Sequence, residues 1–446
     1  MTRRSEVAII GAGPAGLFAA ERLALAGVDV LVIDGGKEMA WRKCPKSWAC
    51  ACEVCDILEG EGGAGGFSDG KKTYSLTRGT QLEELFPAEA EPILWEIDET
   101  ILAYTSSPGV WVDPPTDPPG SLDLRKFDVS AYPLRHIGSD GVREFIVNYR
   151  EYLEQLGVDF MWRSPVTRVL RGKGLSDPHM IEILWTEFVE AERVMIATGL
   201  QGWTWVESLM SWWRVPLLDG PASIGMRYEA PAEFFEPLVE WFYDYKLQQG
   251  NLRSFCCNHR GQVINENHRT LGVRNVNGDS FLDPELRTGM SNLAILAKLN
   301  NKAPVRGLAR HINEAADGQT IVQRSSDFQA GTPTVDPPSE RTNIQSRWGV
   351  DISALLPDKL RGQFLRYVHD LEEALSIPRG AGIIYAPEAK YAGRAVPVTK
   401  AFQLKHPEVR HVYVIGNATG VIDSFVAAAL SGVIAANHLI GGYRDA

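Results

Sequence analysis

The chain has 446 residues, 44% of them hydrophobic and 23% charged, and a formal net charge of −11. It is long enough for two structural regions with sizeable cores. The acidic balance argues against binding nucleic acid or an anionic membrane surface. No uninterrupted apolar run approaches the roughly 20 residues that span a bilayer. Met1-Thr2-Arg3-Arg4 faintly mimics the start of a signal peptide, but the pattern that follows needs the same residues for a fold, so a cytoplasmic location is expected.

Val7-Ala8-Ile9-Ile10 reads as a buried strand, and Gly11-Ala12-Gly13-Pro14-Ala15-Gly16 follows at once. Leu17 to Ala26 has helical spacing, Gly27 breaks it, and Val28 to Ile33 is a second apolar strand ending in Asp34. This is a complete βαβ unit with the glycine pattern of a dinucleotide site. Gly11 permits the tight turn, Gly13 lets backbone approach a pyrophosphate, and Gly16 lets helix and strand pack closely. The helix start, with Pro14 and Ala15, offers free N–H groups and a positive dipole end to phosphates. Asp34 stands where a carboxylate accepts the hydroxyls of an adenosine ribose. No second unit of this kind occurs, so a stable nicotinamide-nucleotide domain is not expected.

Six cysteines are unevenly placed: Cys44, Cys50, Cys52 and Cys55 crowd together, and Cys256 and Cys257 are adjacent. In a reducing compartment this argues against structural disulfides. The first cluster has three readings: four thiolates for zinc or an iron–sulfur cluster, a Cys52–Cys55 redox pair, or small buried hydrophobes. A vicinal Cys256–Cys257 bridge would be strained. Cys256 and His259 are instead candidates to face a substrate, with His259 a natural proton carrier.

Further on, Ser106 to Gly120 is proline-rich and reads as an extended surface excursion. His136-Ile137-Gly138-Ser139-Asp140 opens a helical pattern running to Gly157, with Ser139 as its expected cap. Strands are expected at 159–162, 166–170 and 180–185, and Arg193 to Gly199 is an apolar strand closing on Ala197-Thr198-Gly199. Residues 216–380 carry no dinucleotide motif and read as an inserted α+β substrate domain. Strands are expected there at 222–227, 254–257, 262–265 and 271–277, and helices at 291–298 and 360–375. Val412 to Ala418 is another buried strand, and Val421 to Leu439 an Ala- and Gly-rich helix. The expected fold is thus α/β: a discontinuous Rossmann-like domain (1–215 and 381–446) around the insert. Gly202-Trp203-Thr204-Trp205 is similar to the first half of a flavin-halogenase string, but Val206-Glu207 follows and the segment reads as aromatic packing.

Together these residues resemble the poorly characterised bacterial FAD-dependent dehydrogenases of the glutathione-reductase-like superfamily. The resemblance rests on the GAGPAG string, the Cys44–Cys55 cluster and Gly62-Gly63-Ala64-Gly65-Gly66-Phe67-Ser68-Asp69-Gly70-Lys71. The 136–140, 224–227 and 253–256 strings extend it. It implies FAD as cofactor, held further by Gly63, Ala64, Gly65, Gly66, Ser68, Lys71, Val166, Ala197, Thr198, Gly199, Gly416, Asn417, Val421 and Ile422. Lys71 is expected near the flavin pyrimidine edge, and His136 on the flavin side or in a core hydrogen bond. Arg227 is expected to bind a substrate carboxylate or form a structural ion pair. Asn417 replaces the usual acid, and Asn258 stands where the family tends to have a cysteine.

The leading expectation is hydride transfer between flavin N5 and a small organic substrate between FAD and the insert, with His136 or His259 moving the proton. Reductant would come from the substrate, from transient NAD(P)H or from a protein donor. The alternatives are a thiol shuttle through Cys52 and Cys55, and a cysteine-bound metal centre relaying electrons to a partner.

Overall fold

The computed structural model describes residues 3–44, 52, 54–76, 85–86, 90–113, 115, 122–172, 177–220, 222–269, 272–300, 302–336, 344, 346–390 and 393–444. Cys50 and most of the proline-rich 106–120 stretch beyond Val112 lie outside these residues. The expected βαβ unit forms from strand Arg3–Ile10, helix Pro14–Leu25 and strand Val30–Ile33. Strand alternation sends Val7 and Ile9 to one face and Ala8 and Ile10 to the other. The first pair packs with Leu17, Phe18 and Leu23, the second with Val206, Leu209 and Met210 of helix Trp203–Trp212. Both faces are covered, which is why all four residues are apolar.

Strands Asp159–Met161, Val30–Ile33, Arg3–Ile10 and Glu187–Ile196 lie side by side in parallel. The last of these splits its free edge. Its end, Val194–Ile196, pairs in parallel with Val412–Val414, while Glu187–Ala191 pairs antiparallel with His179–Ile183, which in turn pairs with Val166–Leu170. Near its C-terminal end the chain therefore returns to the first sheet, beside Val194–Ile196. Gly16 is required there, because a Cβ would stand 2.1 Å from the Gly11 carbonyl oxygen. Helix Phe425–Arg444 closes the layer. Its Phe425–Gly442 window is long and apolar enough to cross a membrane, with mean hydropathy 1.6, but 61% of it is buried. Its apolar residues share one core with helix Pro14–Leu25.

The second sheet is entirely antiparallel and runs Ile321–Arg324, Ile383–Lys390, Ala222–Pro231, Met290–Leu299, Leu252–Asn258, Tyr245–Gln249, Asp128–Ala131. Two of its strands, Asp128–Ala131 and Ile383–Lys390, come from outside 216–380. One face packs Met226, Tyr228, Leu293 and Ile295 on Phe364, Tyr367 and Leu371 of helix Asp358–Ala374. A hairpin, Gln262–His268 with Val273–Asp279, and a small sheet of Lys71–Thr73, Leu134–His136 and Val110–Val112 join the two regions.

Two local expectations are corrected. Residues 291–298 form strand, not helix: both faces of this central strand are buried, so its sequence loses the alternation that would mark it. Ser139 does not cap helix Gly138–Gln155, whose cap position is Ile137; its hydroxyl instead accepts from the Ser280 N–H at 3.3 Å.

Candidate cofactor and active site

The dinucleotide loop leaves room for a ligand. A Cβ at Gly13 would meet nothing within 4 Å, whereas one at Gly11 would stand 2.6 Å from the Ala197 carbonyl oxygen. Asp34 accepts from the N–H of Ala12 and of Gly36, each at 2.8 Å, and burial raises its pKa. Strand Val166–Leu170 begins beside this end, since Pro165 packs on Gly35. The turn Gly63–Phe67 docks on the same loop: the Gly62 N–H donates to the Ala12 carbonyl at 2.8 Å, and a Cβ at Gly63 would sit 3.3 Å from Gly13 Cα. A Cβ at Gly65 would touch Pro14 and Phe425, while Ala64 is exposed.

On the far side, Gly416 lies against Ala15, where a Cβ would be 2.8 Å from the alanine methyl carbon. Asn417 donates to the Ile422 carbonyl at 2.9 Å, but its buried Oδ1 has no protein partner, nor does Thr198 Oγ1. Val421 is half-buried and Ile422 is core. Open space at Gly13 and orphaned oxygens at Asn417 and Thr198 fit an elongated dinucleotide with hydroxyls to donate. Sequence reasoning missed Arg42, which carries no motif. Its buried guanidinium donates to the carbonyls of Asp56, Ile57, Glu61 and Gly63 and so holds the glycine turn, and burial lowers its pKa to about 10.

Lys71 turns away from the cradle. Its ammonium group donates to the Cys257 carbonyl and pairs at 3.3 Å with Asp244, which immediately precedes strand Tyr245–Gln249 of the second sheet. Burial opposes its charge, but Asp244 and Asp69 overcome this and hold its pKa above the usual lysine value. Lys72, on the opposite face of the same strand, points inward. It is fully buried, 3.2 Å from the Ser68 hydroxyl and 3.5 Å from the Phe425 ring centroid. Burial lowers its pKa to about 7, against the pull of Asp69.

His136 is buried with both nitrogens engaged. Nε2 faces the Asp69 carbonyl at 3.1 Å, and a carbonyl only accepts, so Nε2 carries the proton. Nδ1 then accepts from the Tyr243 hydroxyl at 2.5 Å. Burial, with the Lys71 charge, lowers the His136 pKa to about 4. The imidazole therefore ties the glycine-rich segment to the second sheet.

Cys256 has φ +44° in a β-bulge between Phe255 and Asn258, a device that re-aims a side chain. Burial and Asp69 raise its pKa to about 11, although Lys390, Lys246 and Arg227 oppose this. Cys257 is core, with its thiol against the Tyr245 carbonyl at 3.2 Å. Arg227 forms the structural pair: its guanidinium meets both oxygens of Glu388 at 2.8 Å, and both residues are fully buried. His259 Nδ1 meets the Ser291 hydroxyl at 2.9 Å, and burial with Arg260 lowers its pKa to about 4.

The cysteine segment docks elsewhere. Cys55 is buried with Ile57, Leu58 and Ile264, with Cys44 beside this cluster, and the Cys52 carbonyl accepts from Asn267. Among the described residues, the cysteines form no group of three metal ligands; His369, Asp370 and Glu373 do, but Lys126 already pairs with Asp370 and Glu373. Trp203 packs in the core and Trp205 donates to the Thr167 carbonyl, as packing residues do. An open groove of about 890 Å³ along Thr204, Glu207, Trp212, Leu217 and Arg394 includes none of the candidate residues.

A family model described as pyridine nucleotide-disulphide oxidoreductase matches residues 5–83, the stretch holding the βαβ unit and the glycine turn. An uncharacterized protein of Clostridium beijerinckii is 23% identical over 97% of this chain and 80% of its own length. Similar solved structures include a flavoprotein/dehydrogenase from Cytophaga hutchinsonii (TM-score 0.42, 11% identity, 99% of this chain and 79% of that one). A glycine oxidase from Geobacillus kaustophilus is another (TM-score 0.44, 13% identity, 99% and 95%).

Proposed function

We propose that this chain is an FAD-dependent oxidoreductase acting on a small organic molecule held between the glycine turn and the second sheet. The carrying observation is the cradle: a βαβ loop with open space at Gly13, and beyond it Gly416 against Ala15, followed by the orphaned Asn417 Oδ1. Asp34 and the Val166 region would hold the adenosine end. Gly13, Pro14, Ala15 and the helix start would hold the diphosphate, and Thr198 and Asn417 would meet the ribityl hydroxyls. Bound there, the flavin supplies hydride transfer. The chain's own residues orient and exclude water: Arg42 fixes the turn, and His136 locks it to the second sheet through Tyr243. Cys256 and His259 stand on the substrate side of this reading, His259 as a neutral base and Cys256 as a thiol.

The test is anaerobic mixing of FAD-loaded protein with NADPH, NADH and small organic donors. Bleaching of the flavin bands by a reduced nicotinamide makes the enzyme a reductase, and bleaching by an organic donor alone makes it a dehydrogenase. Protein that takes up no FAD contradicts the proposal.

A further inference from the structure

Lys72 is anomalous. It is 0% exposed, and among the described residues no carboxylate lies within ion-pairing distance. Its amine has one hydroxyl, Ser68 Oγ, and the face of Phe425. A buried ammonium whose only opposing charge, Asp69, acts from beyond ion-pairing distance is expensive, and such perturbed groups cluster at functional sites. Burial alone would also pull its proton off near neutrality, since its pKa falls to about 7.

Its neighbours say where it lies along a bound dinucleotide. Asp34 marks the adenosine end, and it contacts Ala12 beside Gly13. Gly63 stacks on Gly13, where a diphosphate belongs, and Gly65 sits between Pro14 and Phe425. Lys72 lies on Phe425, the first residue of the long helix, and so joins this series of contacts at the end opposite the Asp34–Ala12 bond. The order adenosine, diphosphate, isoalloxazine therefore places Lys72 at the ring end.

Resting on the FAD reading above, we propose that Lys72 contacts the flavin ring and favours its reduced form. Reduction by a two-electron donor adds two electrons and one proton to the ring and leaves one negative charge. Lys72 as an ammonium neutralises that charge, and the ring in turn supplies the counter-ion the protein withholds. Lys72 is thus a cofactor contact that destabilises the empty protein.

The experiment compares wild type with Lys72→Met, which keeps length but not charge, and Lys72→Arg, which keeps charge. Flavin-free Lys72→Met should melt no lower than wild type, because an unpaired buried amine has gone. Loaded with FAD and equilibrated with a reference dye, its reduced-to-oxidised ratio should fall at least tenfold, about 30 mV for a two-electron couple. Lys72→Arg should stay nearer to wild type. A wild-type ratio in Lys72→Met overturns the proposal, as does a drop in affinity with an unchanged ratio, which would put the amine at the diphosphate. Wild-type protein that takes up no FAD overturns the cofactor reading itself, and this proposal with it.

Discussion

Lys71 and Lys72 are neighbours in one three-residue strand, yet their amines serve opposite regions. Lys71 Nζ pairs at 3.3 Å with Asp244, at the entry to the second sheet, and Lys72 Nζ lies 3.5 Å from the Phe425 ring centroid beside the cofactor cradle. Successive residues of a strand face opposite ways, so a shift of one position changes which region receives the charge.

His136 makes stability depend on acid. Its pKa is about 4 when folded and 6.5 in a free chain, so the unfolded state binds more protons between those values. The His136 contribution is fully present above pH 6.5 and is lost as pH falls towards 4, by roughly 3 kcal/mol. Denaturant unfolding of wild type and His136→Gln across that window should show a shallower loss in the variant. Parallel curves would remove His136 from the account.

The Arg227–Glu388 pair is fully buried, so removing one partner leaves a charge stranded. Glu388→Gln should cost about 3–5 kcal/mol, and Arg227→Met with Glu388→Leu together should cost less than the sum of the single changes. Thermal melts of Glu388→Gln, of Arg227→Met and Glu388→Leu singly, and of the double variant decide this; additive losses would show that the two side chains act separately.

Cys256 should be a slow nucleophile. With its pKa raised to about 11 from 9, it holds on the order of 100-fold less thiolate at pH 8 than an ordinary thiol. Timed iodoacetamide labelling read by mass spectrometry should find Cys256 modified far more slowly in folded than in unfolded protein. Rapid labelling in the folded state would reinstate thiol chemistry at this position.

What was legible in the sequence was local. The βαβ unit, the return strand at 412–414 and helix Asp358–Ala374 follow from apolar periodicity and glycine spacing. Long-range partners were not. Nothing near Lys71 announces Asp244, and nothing near His136 announces Tyr243, which reaches it from a backbone with φ +55°. Strands Asp128–Ala131 and Ile383–Lys390 join the second sheet by pairing with segments far away in the chain, which no local pattern records. The 291–298 stretch misled because burial on both faces erases alternation.

The central claim is that the space at Gly13 holds FAD, and an equilibrium titration of flavin-free protein with FAD tests it most directly. Wild type should saturate at one FAD per chain. Gly13→Val should melt near wild type, because its Cβ meets nothing within 4 Å, yet bind FAD at least tenfold more weakly. Gly16→Val, whose Cβ would lie 2.1 Å from the Gly11 carbonyl oxygen, should fail at the level of the fold instead. No saturable uptake by wild type, or full-strength binding by Gly13→Val, would contradict the account.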